Sequence, residues 1–219
     1  MSSTRWDELT LGDELGAGLA ACRLPDGREA VLRRPSPRAG RIEIAALRAW
    51  AGRCTPALLD AEEDGTALLL ERIRPGTPAV NAGVEEVAHL LRGLHVVPPP
   101  GVPPLEAVVR ERLATTATRV TAQRLGWAQR AVDRLTADAP PPVLLHGSLG
   151  PAALLRCARR GLCAVAPSPC AGDAAYDAAW WIHAGAAPGR RARFEALAGA
   201  TGLDRARLRD WCGVVAVHG

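Results

Sequence analysis

The sequence contains no lysine: all 27 basic residues are arginines, against 23 acidic ones, for a net charge of +4. That absence removes any mechanism built on a Schiff-base lysine, a P-loop lysine or a lysine general base. Asparagine occurs once, as Asn81, and Met1, Tyr176 and Phe194 are likewise the only residues of their types. No apolar run is long enough to span a bilayer, and Met1 to Leu11 is polar without a signal-peptide core, so the sequence predicts a cytoplasmic protein with no membrane partner. The six cysteines (Cys22, Cys54, Cys157, Cys163, Cys170 and Cys212) form no C-x-x-C pair and read as free thiols. Cys157, Cys163 and Cys170 with His146 follow no known ligand spacing, so no metal site is assigned. Arginines stand in small groups without interleaved aromatics, which describes a solvated surface and not a nucleic-acid track.

What is present is an ordinary globular composition, 48% hydrophobic and 23% charged over 219 residues, enough for one large domain or two small lobes. Leu19 to Arg33 reads as two strands joined at Pro25-Asp26-Gly27, preceded by the glycine turn Leu15-Gly16-Ala17-Gly18. Arg41 to Ala51 has helical spacing, and Leu58 to Asp60 with Ala67 to Arg72 makes a second hairpin. After Arg74-Pro75-Gly76 the pattern turns helical. Helices are predicted over Val84–His95, Leu105–Leu125, Trp127–Ala137, Tyr176–Ala184, Pro188–Ala200 and Asp204–Val217, the last capped by Asp204. Between them lie a strand Val143–His146, a glycine loop, Leu154–Cys157 and Leu162–Ala166. The expected division is a sheet lobe over 1–75 and a helical lobe over 76–219, an α+β fold.

A small sheet lobe, a hinge and a helical lobe carrying a strand-loop-strand insert is the layout of a protein kinase-like two-lobed fold. Pro142 to Arg156, P-V-L-L-H-G-S-L-G-P-A-A-L-L-R, resembles the catalytic loop H-G-D-L-H-x-x-N-x-L of the streptomycin and hydroxyurea phosphotransferases, within the aminoglycoside phosphotransferases. Ala164 to Ala179, A-V-A-P-S-P-C-A-G-D-A-A-Y-D-A-A, resembles that family's I-D-P-K-P-x-x-G-D-P-A-Y-D-x-A. The first-lobe phrase R-L-P-D-G-R-E-A-V-L-R and the hinge phrase A-L-L-L-E-R-I-R-P-G-T-P match as well.

The resemblance implies ancestry in phosphoryl transfer, yet the differences fall on its chemistry. Transfer needs a group to orient the acceptor hydroxyl, carboxylate and amide ligands for magnesium, and a cation on the nucleotide phosphates. The position of the catalytic Asp holds Ser148, that of the metal-binding Asn holds Ala153, that of the metal-binding Asp holds Ala166, and that of the phosphate-binding Lys holds Arg33. Loss of one general base typically costs about a hundredfold to ten-thousandfold. Arg33 is the mildest change, because guanidinium grips phosphate bidentately and could pair with Glu43 at the helix-glutamate position. His146, Gly147, Gly172, Asp173, Tyr176 and Asp177 fit the pattern, with His146 and Asp177 read mainly as scaffold.

Three functions stay open. The first is a pseudokinase that binds a small polar molecule, with a possible protein partner on the proline-rich stretch Ala79 to Pro104. The second is a repurposed enzyme for a natural-product intermediate, with His146, Ser148 and Asp173 as catalytic candidates beside Trp180, Trp181 and His183. Its H-G-S-L-G differs from the hydrolase signature G-x-S-x-G in the place of the first glycine. The third is persisting phosphotransfer using ATP and magnesium, with Asp173 on the metal. Cofactor-binding candidates are Gly16, Gly18, Arg33, Glu43 and Glu71.

Overall fold

The computed structural model describes residues 9–16, 18–184 and 189–219. The first sheet has five strands, β1 (Thr10–Gly16), β2 (Leu19–Arg23), β3 (Glu29–Arg33), β4 (Leu58–Ala61) and β5 (Leu68–Glu71), in the order β1-β2-β3-β5-β4, all antiparallel. Both predicted hairpins are present. The Pro25-Asp26-Gly27 turn closes by a bond from the Gly27 amide to the Leu24 carbonyl at 2.9 Å, with Gly27 at a φ of 85° that suits glycine. Upstream, β1 is a strand that runs into the predicted glycine turn Leu15–Gly18, where the sequence predicts no strand. Its Gly12, Asp13 and Glu14 break the alternation, and it survives as an exposed, bulged edge bearing charges. Alternation along β3 divides its side chains. Ala30 and Leu32 enter a small core with Cys22 and Leu69, while Val31 and Arg33 face the cleft on the other side.

Helix α1 (Pro37–Trp50) begins four residues earlier than predicted, with Pro37 in the first turn, where a missing N–H costs nothing. It ends on Ala51 in the left-handed region at φ 50°. Trp50 is fully buried, and its indole N–H donates to the Leu94 carbonyl at 2.8 Å, tying α1 to α2 (Val84–Leu94). Helices α3 (Leu105–Thr116) and α4 (Ala122–Ala137) replace the predicted pair Leu105–Leu125 and Trp127–Ala137: the break falls earlier, and α4 runs through Gly126. The break falls where the Thr121 side chain accepts from the Arg124 amide and caps a new helix.

β6 (Pro75–Pro78), β8 (Leu154–Cys157) and β9 (Gly161–Ala164) form a three-stranded sheet, and β7 (Val143–Leu145) pairs with β10 (Cys170–Gly172). β6 and β10 were absent from the sequence reading, since Pro-Gly-Thr-Pro and Cys-Ala-Gly offer almost no apolar pattern and are strands only through their partners. α5 (Ala175–Ala184), α6 (Arg190–Thr201) and α7 (Arg205–His218) complete the chain. Asp204 caps α7 as predicted, accepting from the Arg207 amide at 2.8 Å. The predicted helix start at Pro188 lies outside the described residues. One large core joins α2 to α7 with the inner side of β5 and α1. No helix among the described residues is long and apolar enough to cross a membrane.

Candidate functional site

The segment after β7 is built around Gly147. Its φ of 81° and its closeness to the Ser168 carbonyl, 2.0 Å from where a Cβ would stand, admit only glycine. The amides of His146 and Gly147 both donate to the carboxylate of Asp177, each at 2.8 Å, and Asp177 is fully buried at the start of α5. Burial alone would raise the pKa of Asp177. The imidazoles of His95, 3.4 Å away, and of His146, with the Gly147 amide, outweigh it and hold the carboxyl below its ordinary range. The His146 ring is fully buried with Nε2 at 3.0 Å from the Val165 carbonyl, which can only accept, so Nε2 carries the proton, and burial lowers the ring's pKa. The Ser168 amide donates to the His146 carbonyl at 2.9 Å, which fastens the 165–168 loop to the 146–148 loop.

Two cavities meet at this junction. The first, about 280 Å³, lies between the five-stranded sheet and β8, walled by Leu19, Val31, Leu70, Ile73, Leu155 and Val165, with Glu71 to Gly76 along one edge. The second, about 550 Å³, lies between α1, α3 and the loop Pro167–Pro169. Arg33, Glu43 and Pro167 border both. Arg33 Nε stands 2.9 Å from Glu43 Oε2, the pair the sequence predicted. Burial pushes Glu43 up to about 7, with Arg33 opposing it. Glu71 accepts from Arg160 at 2.7 Å and from the Ala57 amide at 3.1 Å. Its burial works against ionisation, but the Arg160 and Ala57 bonds prevail and hold its pKa below the ordinary value. Gly18, at φ 72°, turns the chain from β1 into β2, and Gly16 pairs with Leu19 across that turn. Gly18 does not line the first cavity, whereas Leu19 does.

Of the three catalytic candidates, none is brought together with another as a reacting pair. Ser148 is half-buried, one residue beyond the braced glycine, and its carbonyl accepts from the Gly150 amide at 2.8 Å. His146 is turned into the core and borders neither cavity. Asp173, the catalytic candidate also considered for the metal, lines neither of the two cavities and borders a separate one with Leu105, Pro141 and Trp211. Its Oδ2 accepts from Arg207 Nε at 2.8 Å and Trp211 Nε1 at 2.9 Å, and its Oδ1 from the Ala175 amide at 2.9 Å. A carboxylate so committed serves as a brace for α7, and the metal role considered for it has no room. Trp181 is core, while Trp180 is half-buried in an edge-to-face contact with Tyr176. All six cysteines are free, and burial pushes Cys54 up to about 11 and Cys163 up to about 12, which keeps them as inert thiols.

The lining of the first cavity suits a nucleotide: its largely apolar wall suits a flat base, and Arg33, which also lines it, suits a phosphate. Magnesium does not fit. Among the described residues no group of three His, Cys, Asp or Glu side chains is placed to hold a metal. Ala166 and Ala153 bring no donor, and the one carboxylate shared by the two cavities, Glu43, is engaged by Arg33. Ala166 stands at φ 53°, a region that aspartate and asparagine enter more readily than alanine.

A profile of the aminoglycoside/hydroxyurea antibiotic resistance kinases matches residues 10–218. The chain belongs to that family. It is 31% identical to a streptomycin 6-kinase of Streptomyces griseus, across 94% of this chain and 76% of that protein. It is 34% identical to a hydroxyurea phosphotransferase of Kitasatospora aureofaciens, across 94% and 66%. The fold is that of an aminoglycoside phosphotransferase from Streptomyces rimosus solved with ADP and streptomycin (TM-score 0.60, 18% identity, 93% of both chains). It is also that of a choline kinase from Streptococcus pneumoniae (TM-score 0.66, 8% identity, 93% of this chain and 79% of that one). The kinase-like two-lobed α+β architecture and the family expected from the motifs are therefore established. Sequence reading missed Arg112, Arg160 and Arg207. Each lies where surface arginine is unremarkable, and only the folded chain brings their partners, distant in sequence, to them.

Proposed function

We propose that this member of the resistance-kinase family binds a nucleotide in the first cavity and a small molecule in the second, and no longer transfers phosphate by the family's magnesium-assisted route. The observation that carries the reading is the pairing of a preserved cleft with Ser148 at the position of the base and Ala153 and Ala166 at the positions of the metal ligands. The chain's own residues perform the binding steps. Leu19, Val31 and Leu155 exclude water from a base, Arg33 offers two N–H groups to a phosphate, and Glu43 holds Arg33 in place. Without a carboxylate at 148, nothing there removes the acceptor proton.

The printed activities of the relatives favour a second reading, in which transfer to a hydroxyl persists through other groups. The same experiment separates the two. ATP turnover is measured with magnesium, alone and with streptomycin or hydroxyurea, for the native chain and for the triple variant Ser148→Asp, Ala153→Asn, Ala166→Asp. Our reading expects background turnover in the native chain and magnesium-dependent nucleotide binding gained by the variant. Native turnover that needs magnesium and disappears in Arg33→Ala would establish the second reading instead.

A further inference from the structure

We propose that the second cavity, between α1 and α3, takes an anion: a small molecule bearing a carboxylate or phosphate group, and not a polycationic aminoglycoside. The inference deepens the functional reading above and rests on it for the neighbouring nucleotide. The pocket's own charge is argued independently.

The ionisable residues of the wall are Arg33, Arg38 and Arg112 against Glu43 and Glu111. Arg33 and Glu43 are paired with each other at 2.9 Å. Two guanidinium groups then face one exposed carboxylate. Arg112 is the informative one. It is half-buried, its Nη1 donates to the Gly147 carbonyl at 2.6 Å and to the Tyr176 hydroxyl at 2.7 Å, and its guanidinium carbon stands 5.5 Å from the Trp180 ring centroid. No carboxylate of the described residues forms an ion pair with it. Both protein bonds of this guanidinium use Nη1, so Nε and Nη2 remain as donors.

A cation that is fixed, partly desolvated and without a counter-charge attracts an anion and repels a second cation. Its orientation is set before the ligand arrives, so little side-chain freedom is lost on binding. Because Arg112 holds the carbonyl of Gly147, an anion on its free edge sits in the second cavity beside the loop that carries Ser148.

The test is isothermal titration calorimetry on the full chain with citrate, glucose 6-phosphate and streptomycin hydrochloride at matched ionic strength, with ADP titrated separately. The two anions distinguish carboxylate from phosphate recognition. We expect at least one of them to bind, Arg38→Gln to weaken it about tenfold, the loss of one charge-assisted contact, and Glu111→Gln to tighten it. Both substitutions are on exposed side chains and leave the catalytic-loop brace intact, so a fold defect will not imitate the result. Arg112→Gln, checked for an unchanged melting temperature, should weaken binding at least as much as Arg38→Gln. Streptomycin binding that Glu111→Gln weakens, or no binding of either anion while ADP still binds, would overturn the proposal. Anion binding with these variant effects but no ADP binding would keep the pocket's assignment and remove the nucleotide reading.

Discussion

Replacing Asp177 by alanine should unfasten the loop that carries Ser148. Two buried amides, those of His146 and Gly147, lose their common acceptor at a completely buried position. An unsatisfied buried donor costs about 1–3 kcal/mol, so the pair amounts to roughly 4 kcal/mol, a large part of the ~5–15 kcal/mol that holds a domain together. For a chain of this size each kcal/mol lowers the melting temperature by about 2–4 °C, which gives a fall of roughly 8–16 °C. Asp177→Asn should cost less, since its carbonyl still takes one amide while its NH₂ faces the other. Calorimetric melting of the three proteins, with hydrogen exchange at the Gly147 amide, checks this. A cost under about 1 kcal/mol for the alanine variant, with Gly147 still protected, would refute the argument that Asp177 sets the loop. The contribution also has a pH signature: a carboxyl depressed by folding stabilises above its unfolded pKa and is lost as pH falls through the folded value, so the advantage over Asp177→Asn should shrink in acid.

Gly147→Ala would place a methyl group 2.0 Å from the Ser168 carbonyl at a φ of 81°, and expression trials should yield no folded protein. Glu43 is raised to about 7 from 4.5, so the folded chain holds a proton that the unfolded chain releases, and stability falls as pH rises across that window. The stability difference between the native chain and Glu43→Gln should therefore decline between about pH 4.5 and 7, by up to about 3 kcal/mol, and lie flat above 7. Equilibrium urea titrations read it, and a flat difference throughout would contradict the assignment. Ala166→Gly should relieve the left-handed alanine and raise stability by about 0.5–1 kcal/mol in the same titrations.

The elements legible in the sequence are those with strong local signals. Pro25-Asp26-Gly27 and Asp64-Gly65 mark both hairpins, and the spacing of Val84, Val87, Ala88, Leu91 and Leu94 marks α2 to within a residue. β1, β6 and β10 were not legible because their pairing, and not their own residues, makes them strands. The α3–α4 break had a signal in Thr121, outweighed in the reading by helix formers on either side. At the site, the exchanged positions Ser148, Ala153 and Ala166 and the Arg33–Glu43 pair were readable from the motifs. The commitment of Asp173 to Arg207 and Trp211 was not, because those residues stand 34 and 38 positions away along the chain. Arg112 was equally hidden, as one of four arginine and glutamate residues in an α3 that reads as a solvated helix.

The central claim, a nucleotide cleft that has lost its magnesium site, is tested most directly by calorimetric titration of ADP into the native chain with and without magnesium. The account predicts binding in both conditions with Kd values agreeing within about twofold, since no carboxylate or amide stands at 148, 153 or 166 to hold the ion. Binding that appears only with magnesium, or tightens more than about tenfold when it is added, would contradict it.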